Sequence, residues 1–259
     1  MIHVVGNTGL VGSAICAYFE NKAIEHTGIN RSNYQEYVGS QTDYLVNANG
    51  SGLKGGANQD PKADFELNVA STVNLVFDFK FDTFIHISSV DVYPDVSSPD
   101  TTREDSIIDP TGLQPYGFHK YLSELIVMRY CRNWIILRLG GLVGKNLKKN
   151  PIYDWAHNKP LLISKRSALT FIHTETVAEL ISQLIAQKIT RQIINVCASD
   201  SIKLEDLATI ADFKIEEALT QNELPVQDYD IDVNKLKGFF RVKTSREYIE
   251  RYLRENLYP

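Results

Sequence analysis

An α/β fold with a doubly wound parallel sheet and a smaller carboxyl-terminal lobe is what this sequence predicts. Short β-rich runs alternate with helix-patterned segments from the first residues to about residue 197, as parallel strands joined by crossover helices require. The first of those runs, Ile2–Val5, leads directly into glycines at positions 6, 9 and 12 and then into an amphipathic pattern, a strand, tight turn and helix.

The elements follow in order. Leu10–Phe19 carries the first helical spacing, a second strand is expected around Glu25–Asn30, and a third, buried, at Tyr44–Asn47. The polar connection between the second and third is too short for a complete additional strand and helix. A helix is expected over Phe65–Phe79, then the alternating strand Phe81–Ile87 running into Ser88-Ser89, beyond the carboxyl end of a strand, where catalytic groups gather in such sheets. A loop rich in Asp, Ser, Thr and Pro covers Pro94–Pro115. Tyr116–Arg132 then reads as a long helix and Trp134–Leu139 as a buried strand. Beyond a basic, polar stretch at Lys145–Lys159, Pro160–Ser164 and Leu169–His173 offer short strands and Glu175–Gln187 a helix. Ile193–Cys197 returns to the main sheet, and Ser201–Phe213 reads as another helix. Thr244-Ser-Arg-Glu247 is a capping box that starts a terminal helix through about Glu255. No internal repeat or low-complexity tract interrupts the chain.

Composition narrows the function classes. With 43% hydrophobic and 23% charged residues, the 259-residue chain is ordinary for a globular protein with a substantial core. A formal charge of −5 without a long basic run gives no footprint for a nucleic acid polymer or an anionic membrane. Cys16, Cys131 and Cys197 are odd in number and lack metal-ligand spacing, so they read as reduced core residues of a cytoplasmic protein. His3, His26, His86, His119 and His157 show no spacing with cysteines or carboxylates that builds a zinc site, and no metal is expected. No apolar run reaches the length of a membrane span, and a glycine pattern starting at residue 6 leaves no room for a cleaved signal.

The glycine loop suits dinucleotide phosphates. Gly6 and Gly9 permit a tight turn and close approach of backbone N–H groups, with Asn7, Thr8, Leu10 and Val11 completing the contact, while Gly12 lets the helix pack on the strand. The helix amino terminus adds partial positive charge. At the end of the second strand a carboxylate would accept from a ribose 2′-hydroxyl and repel a 2′-phosphate. The residues there are Asn30-Arg31-Ser32, so NADP(H) is favoured over NAD(H), with Arg31 and Ser32 as phosphate ligands. Tyr116 and Lys120 lie four residues apart on one helical face. A phenol that exchanges protons near neutral pH benefits from a cation that stabilises phenolate, and a serine of the Ser88-Ser89 pair can hold the reacting oxygen. His173, within an alternating apolar segment, reads as a packed histidine.

These residues together resemble the extended short-chain dehydrogenase/reductase family, the NAD-dependent epimerase/dehydratase group acting largely on nucleotide sugars. The likeness runs through Gly6/Gly9/Gly12, Asn47-Ala48-Asn-Gly50, Asn68–Thr72, Ser88–Tyr93, Tyr116-x-x-x-Lys120 with Glu124, Arg138–Gly144 and Phe171–Ala178. It implies Ser89, Tyr116 and Lys120 as catalytic residues, Lys120 on the nicotinamide ribose, Asn47, Ala48 and Asn68 beside the cofactor, and a homodimer formed through the helices of Phe65–Phe79 and Tyr116–Arg132. It also implies a Rossmann unit of residues 1–139 with about 170–197, and a substrate-binding lobe of about 140–169 with 198–259.

Departures from the family pattern point to one reaction. Dehydratases of the family carry an acid and a base after the catalytic hydroxyl, where this chain has Val90 and Asp91; its bifunctional epimerase-reductases use a cysteine after the serines, and none stands here. The 4-epimerases commonly place an Arg before the Phe-Ile-His run, where Ala168-Leu169-Thr170 stands, with Lys165 and Arg166 nearby. Ser88, Asp91 and Gly141 are candidates for substrate contact, and Lys145, Lys148 and Lys149 for phosphate or solvent. The expectation is an enzyme that reduces the 4-keto group of a nucleotide-activated deoxysugar. The alternatives are a 4-epimerase with tightly bound NAD and a non-catalytic cofactor sensor.

Overall fold

The structure, a computed structural model, describes residues 1–218 and 223–257. The chain opens with β1 (Ile2–Val5), α1 (Leu10–Asn21), β2 (His26–Ile29), the one-turn α2 (Tyr34–Tyr37) and β3 (Gln41–Asn47). A helical run follows in pieces: α3 (Lys54–Gln59), α4 (Pro61–Phe65), a π-wound turn at Glu66–Ala70, and α5 (Ser71–Asp78). Then come β4 (Lys80–Ser89), α6 (Pro115–Tyr130), β5 (Trp134–Leu139), β6 (Gly141–Val143), α7 (Pro151–Ala156), β7 (Ala168–Leu169) and β8 (Phe171–His173). The remainder is α8 (Thr174–Ala186), β9 (Gln192–Val196), β10 (Ile202–Lys203), α9 (Asn234–Phe239) and α10 (Ser245–Asn256).

Six parallel strands form the main sheet in the order β2-β1-β3-β4-β5-β9. Only the short α2 lies between β2 and β3, so the chain returns to the far side of β1 without an intervening strand. The order therefore reverses between β1 and β3, and such a switch point opens a crevice at the strands' carboxyl ends. Alternation along the strands builds two cores. Val4, Val46, Ile85 and Ile135 face the side of α1 and α8, meeting Ile15, Phe19, Val177 and Ile181, whereas Val5, Leu45, Phe84 and Ile136 face Leu75, Phe79 and Val127 of α5 and α6. Burial on both faces is why the strands read as nearly continuous apolar runs. Truncating one of these fully buried side chains, as in Leu45→Ala, costs about 2–5 kcal/mol.

The last third departs from the sequence expectation in several of its elements, α7 and α9 among them. Ser201–Phe213 is not an α-helix: Ile202 and Lys203 pair antiparallel with Leu169 and Ala168, and Leu204–Thr209 winds as a 3₁₀ turn. The N–H groups of Leu204 and Glu205 donate to the carbonyls of Ser167 and Lys165, so pairing across the chain overrides local propensity. In Pro160–Ser164 only Leu161 bridges, to Glu217. The terminal capping box is formed, Thr244 accepting from the Glu247 N–H while Glu247 accepts from the Thr244 N–H. Among the described residues no helix is long and apolar enough to cross a membrane.

Candidate active site

The glycine loop is shaped by backbone crowding. Gly6 has φ +86°, and a Cβ there would lie 2.6 Å from the Ala48 carbonyl oxygen and 2.8 Å from Asn49 N, so any side chain would wedge β1 from the β3 end. A Cβ on Gly12 would collide with the Gly6 carbonyl, which fixes how closely α1 abuts the loop. Gly9 is exposed and no side chain caps α1, leaving the first-turn N–H groups directed at the crevice. Asn7 lies between the strand ends, accepting from Asn30 Nδ2 at 3.2 Å. Asn30 in turn accepts from Ser32 N and Oγ, at 2.9 and 2.6 Å, which holds the β2 turn and leaves Arg31 exposed. Among the described residues no carboxylate forms an ion pair with Arg31. A narrow loop with glycines at 6 and 9, an uncapped helix terminus and a nearby guanidinium fit a dinucleotide phosphate chain.

Across the switch point the end of β4 meets the start of α6. The approach depends on Gly117, whose Cβ would run into the Asp91 carbonyl. It brings the Tyr116 phenol beside Ser89, whose hydroxyl acts to lower the phenol's pKa. Ser89 Oγ donates to Asp91 Oδ2 at 2.8 Å, while Asp91 Oδ1 accepts from Lys54 Nζ and from Tyr229 Oη, each at 2.7 Å. Burial raises the Tyr116 pKa and Asp91 raises it further; the Lys54 ammonium and the Ser89 hydroxyl act in the opposite direction. Lys120 is buried and donates to the Ile87 carbonyl at 2.7 Å. Its pKa is lowered to about 8 by burial, against the pull of Glu124 and Asp64. The Lys54 ammonium thus acts to lower the phenol's pKa, while Lys120 is held against β4.

Two buried networks hold this face from behind. Glu124 accepts from Ser88 Oγ at 2.5 Å and from Arg138 Nε and Nη2 at 3.0 and 2.7 Å; Arg138 also donates to Tyr93 Oη, which donates on to Asn195. Asp64 accepts from Asn68 Nδ2 at 3.0 Å and lies 2.8 Å from His119 Nδ1. The Asn68 carbonyl takes the hydroxyls of Thr72 and Ser123, both at 2.8 Å, within the π-wound turn, a geometry that recurs at functional sites. Asn47 is buried, bridging Thr72 and His86 and accepting from Asn49 N.

The structure therefore brings Ser89, Tyr116, Lys120 and Asp91 together, with Ser88 turned to Glu124. Gly141 sits in β6 against the Phe171 ring, while Lys145, Lys148 and Lys149 are exposed. His173 is buried, its Nδ1 accepting from Glu175 N. Two residues escaped the sequence reading. Lys54 had a signal, four glycines around it in Gly50–Gly56. Tyr229 had none, because it arrives from an irregular segment whose path only the folded chain reveals. Among the described residues no group of three or more His, Cys, Asp or Glu is gathered in a way that could hold a metal ion.

Comparison with known proteins places this geometry. A UDP-galactose 4-epimerase superposes with a TM-score of 0.80 at 19% identity, covering 99% of both chains. MoeE5, solved with UDP-glucuronic acid and NAD, gives a TM-score of 0.83 at 15% identity, also over 99% of both chains. A dTDP-4-dehydrorhamnose reductase from Bacillus anthracis, solved with NADP, gives 0.79 at 14% identity over 98% of this chain and 99% of that one. The model of the NAD dependent epimerase/dehydratase family matches residues 2–197. The chain belongs to that family, the extended short-chain dehydrogenase/reductase type, and is an NAD(P)-dependent enzyme.

Proposed function

We propose that this protein reduces the 4-keto group of a nucleotide-activated deoxysugar with NADPH. The observation that carries the reading is the state of Asp91. It is the one carboxylate in the two positions after Ser89, and both its oxygens are engaged, Oδ2 by Ser89 and Oδ1 by Lys54 and Tyr229. Removing water from a sugar needs one group to take a proton and another to protonate the leaving hydroxyl; Val90 offers neither. Reduction needs a single proton donor, the role assigned here to Tyr116.

A bound nicotinamide supplies the hydride. Tyr116 gives its proton to the carbonyl oxygen, a role that contributes about 10²–10⁴ in rate. Ser89 Oγ orients that oxygen, and Lys120 holds the ribose. Gly6, Asn7, Thr8, Gly9, Leu10 and Val11 take the pyrophosphate, Arg31 and Ser32 the 2′-phosphate, and Asn47, Ala48 and Asn68 line the nicotinamide side. The lobe of residues 140–169 and 198–259 receives the sugar nucleotide, with Gly141 and Asp91 at its edge. The protein works in the cytoplasm as a homodimer. Support for the dimer is the exposed apolar surface of α5 and α6, where Phe77 and Tyr130 stack edge-on at 5.3 Å and are 63% and 59% exposed, and where Leu125 of α6 is exposed too.

A panel of UDP-, GDP- and dTDP-linked 4-keto-6-deoxyhexoses with NADPH or NADH, followed by cofactor oxidation and product mass, tests the reading. One member should be reduced with NADPH, and Tyr116→Phe should lose that turnover while keeping NADPH binding. Protein that retains NAD and interconverts sugars without net oxidation contradicts it, and protein that binds NADPH but turns over no sugar of the panel favours a sensor.

A further inference from the structure

Tyr116, Ser89 and Lys120 are 9%, 6% and 5% exposed, so a phenolate left after proton donation has little direct contact with water. Lys120, the cation on the same helical face, is tied to the Ile87 carbonyl and is itself buried. A second route leads out of the site. It starts at Ser89, beside the phenol, and runs from Ser89 Oγ to Asp91 Oδ2 at 2.8 Å and from Asp91 Oδ1 to Lys54 Nζ at 2.7 Å. Side-chain exposure rises along it, from 16% at Asp91 to 49% at Lys54. Tyr229 clamps the junction, donating to Asp91 Oδ1 and accepting from Lys54 Nζ, each at 2.7 Å.

We propose that Ser89, Asp91 and Lys54 form a proton relay that reloads Tyr116 from solvent after each turnover, with Tyr229 as its positioning residue. The proposal rests on the reductase reading. Once Tyr116 has given its proton to the substrate oxygen, Lys54 Nζ passes a proton to Asp91 Oδ1. The neutral carboxyl turns about Cβ–Cγ and hands that proton to Ser89 Oγ as Ser89 gives its own to the phenolate. Lys54, now an amine, takes a proton from water, so one solvent proton enters per ketone reduced and every relay group ends as it began. Burial raises the Tyr116 pKa, and for Lys54 burial opposes the charge while Asp91 and Tyr229 outweigh it, so donor and acceptor are both moved upward.

Lysine variants separate relay from charge, because Arg keeps the positive charge but does not release a proton. With the sugar from the panel that wild type turns over, Lys54→Met and Lys54→Arg should both lose about 100-fold in kcat. The solvent deuterium isotope effect should rise, with NADPH affinity and melting temperature held, and methylamine should restore Lys54→Ala. In cofactor-free protein labelled with ¹³Cζ-tyrosine, Asp91→Asn should bring the Tyr116 ionisation midpoint down by about one pH unit or more. Near-wild-type turnover by Lys54→Arg or Lys54→Met, no amine rescue, or an unmoved Tyr116 midpoint overturns the relay while leaving the reductase reading standing. A wild type inactive on the whole panel overturns the reductase reading and the relay with it.

Discussion

Replacing Glu124 with Gln removes the charge from the most buried ion pair of the fold. Glu124 and Arg138 are 0% and 2% exposed, and the carboxylate accepts three hydrogen bonds, two from the guanidinium and one from Ser88. An amide keeps one acceptor oxygen and turns an NH₂ toward the Arg138 guanidinium, which only donates. Arg138 is then left charged out of water with only neutral acceptors, the amide oxygen and Tyr93 Oη. Breaking one side of such a pair costs about 3–5 kcal/mol. For a chain of this size each kcal/mol lowers the melting temperature by about 2–4 °C, so Glu124→Gln should melt about 6–20 °C below wild type. Thermal melts and urea titrations of wild type, Glu124→Gln, Arg138→Met and the Glu124→Leu/Arg138→Met pair provide the measurement. Removing both charges should cost less than removing either alone, because no uncompensated charge remains. A Gln variant melting with wild type, or a double variant weaker than both singles, would refute the reasoning.

Three further outcomes follow from the site. Gly6→Ala places a methyl against Ala48 and Asn49 at a positive φ, an added backbone cost of about 1–2 kcal/mol before any clash, and should weaken NADPH binding by at least about tenfold in a fluorescence titration. Arg31→Ala should weaken NADPH by about tenfold or more through loss of a charge-assisted hydrogen bond worth about 1.5–3 kcal/mol, leaving NADH affinity unchanged; equal losses would detach Arg31 from the 2′-phosphate. Lys120 has a folded pKa of about 8, below its usual 10.5. Below about 8 both states are protonated and its buried charge weakens folding; between the two values the unfolded state binds more protons, so stability rises with pH. In cofactor-free protein, Lys120→Met should therefore hold a stability lead over wild type below pH 8 that shrinks toward 10.5, and a constant difference would show that Lys120 does not titrate there.

Legibility in the sequence tracked how local the determining physics is. The strands of the main sheet are buried on both faces, so runs such as Trp134–Leu139 announce themselves, and the Thr244–Glu247 cap is written in four consecutive residues. The six-residue α7 passed unnoticed in a basic stretch although Asn150 and Pro151 supply its cap and first turn. Ser201–Phe213 carried helical spacing but is paired with β7, a contact about thirty residues distant in sequence. The same distinction holds in the site. Tyr116 and Lys120 share a helix face and the glycine loop is contiguous, whereas the grip on Asp91 joins Lys54 to Tyr229, 175 residues apart. Helical spacing puts Lys120 on the face of Tyr116 but does not say which way its ammonium turns; here it donates to the Ile87 carbonyl.

The central claim is net reduction of a sugar ketone by direct hydride delivery. NADPH carrying deuterium at both C4 positions, incubated with the active 4-keto sugar nucleotide, tests it most directly. The account predicts one NADPH oxidised per product formed and one deuterium on the former carbonyl carbon of each product. A product isomeric with its substrate, formed without deuterium and without NADPH consumption, would contradict it.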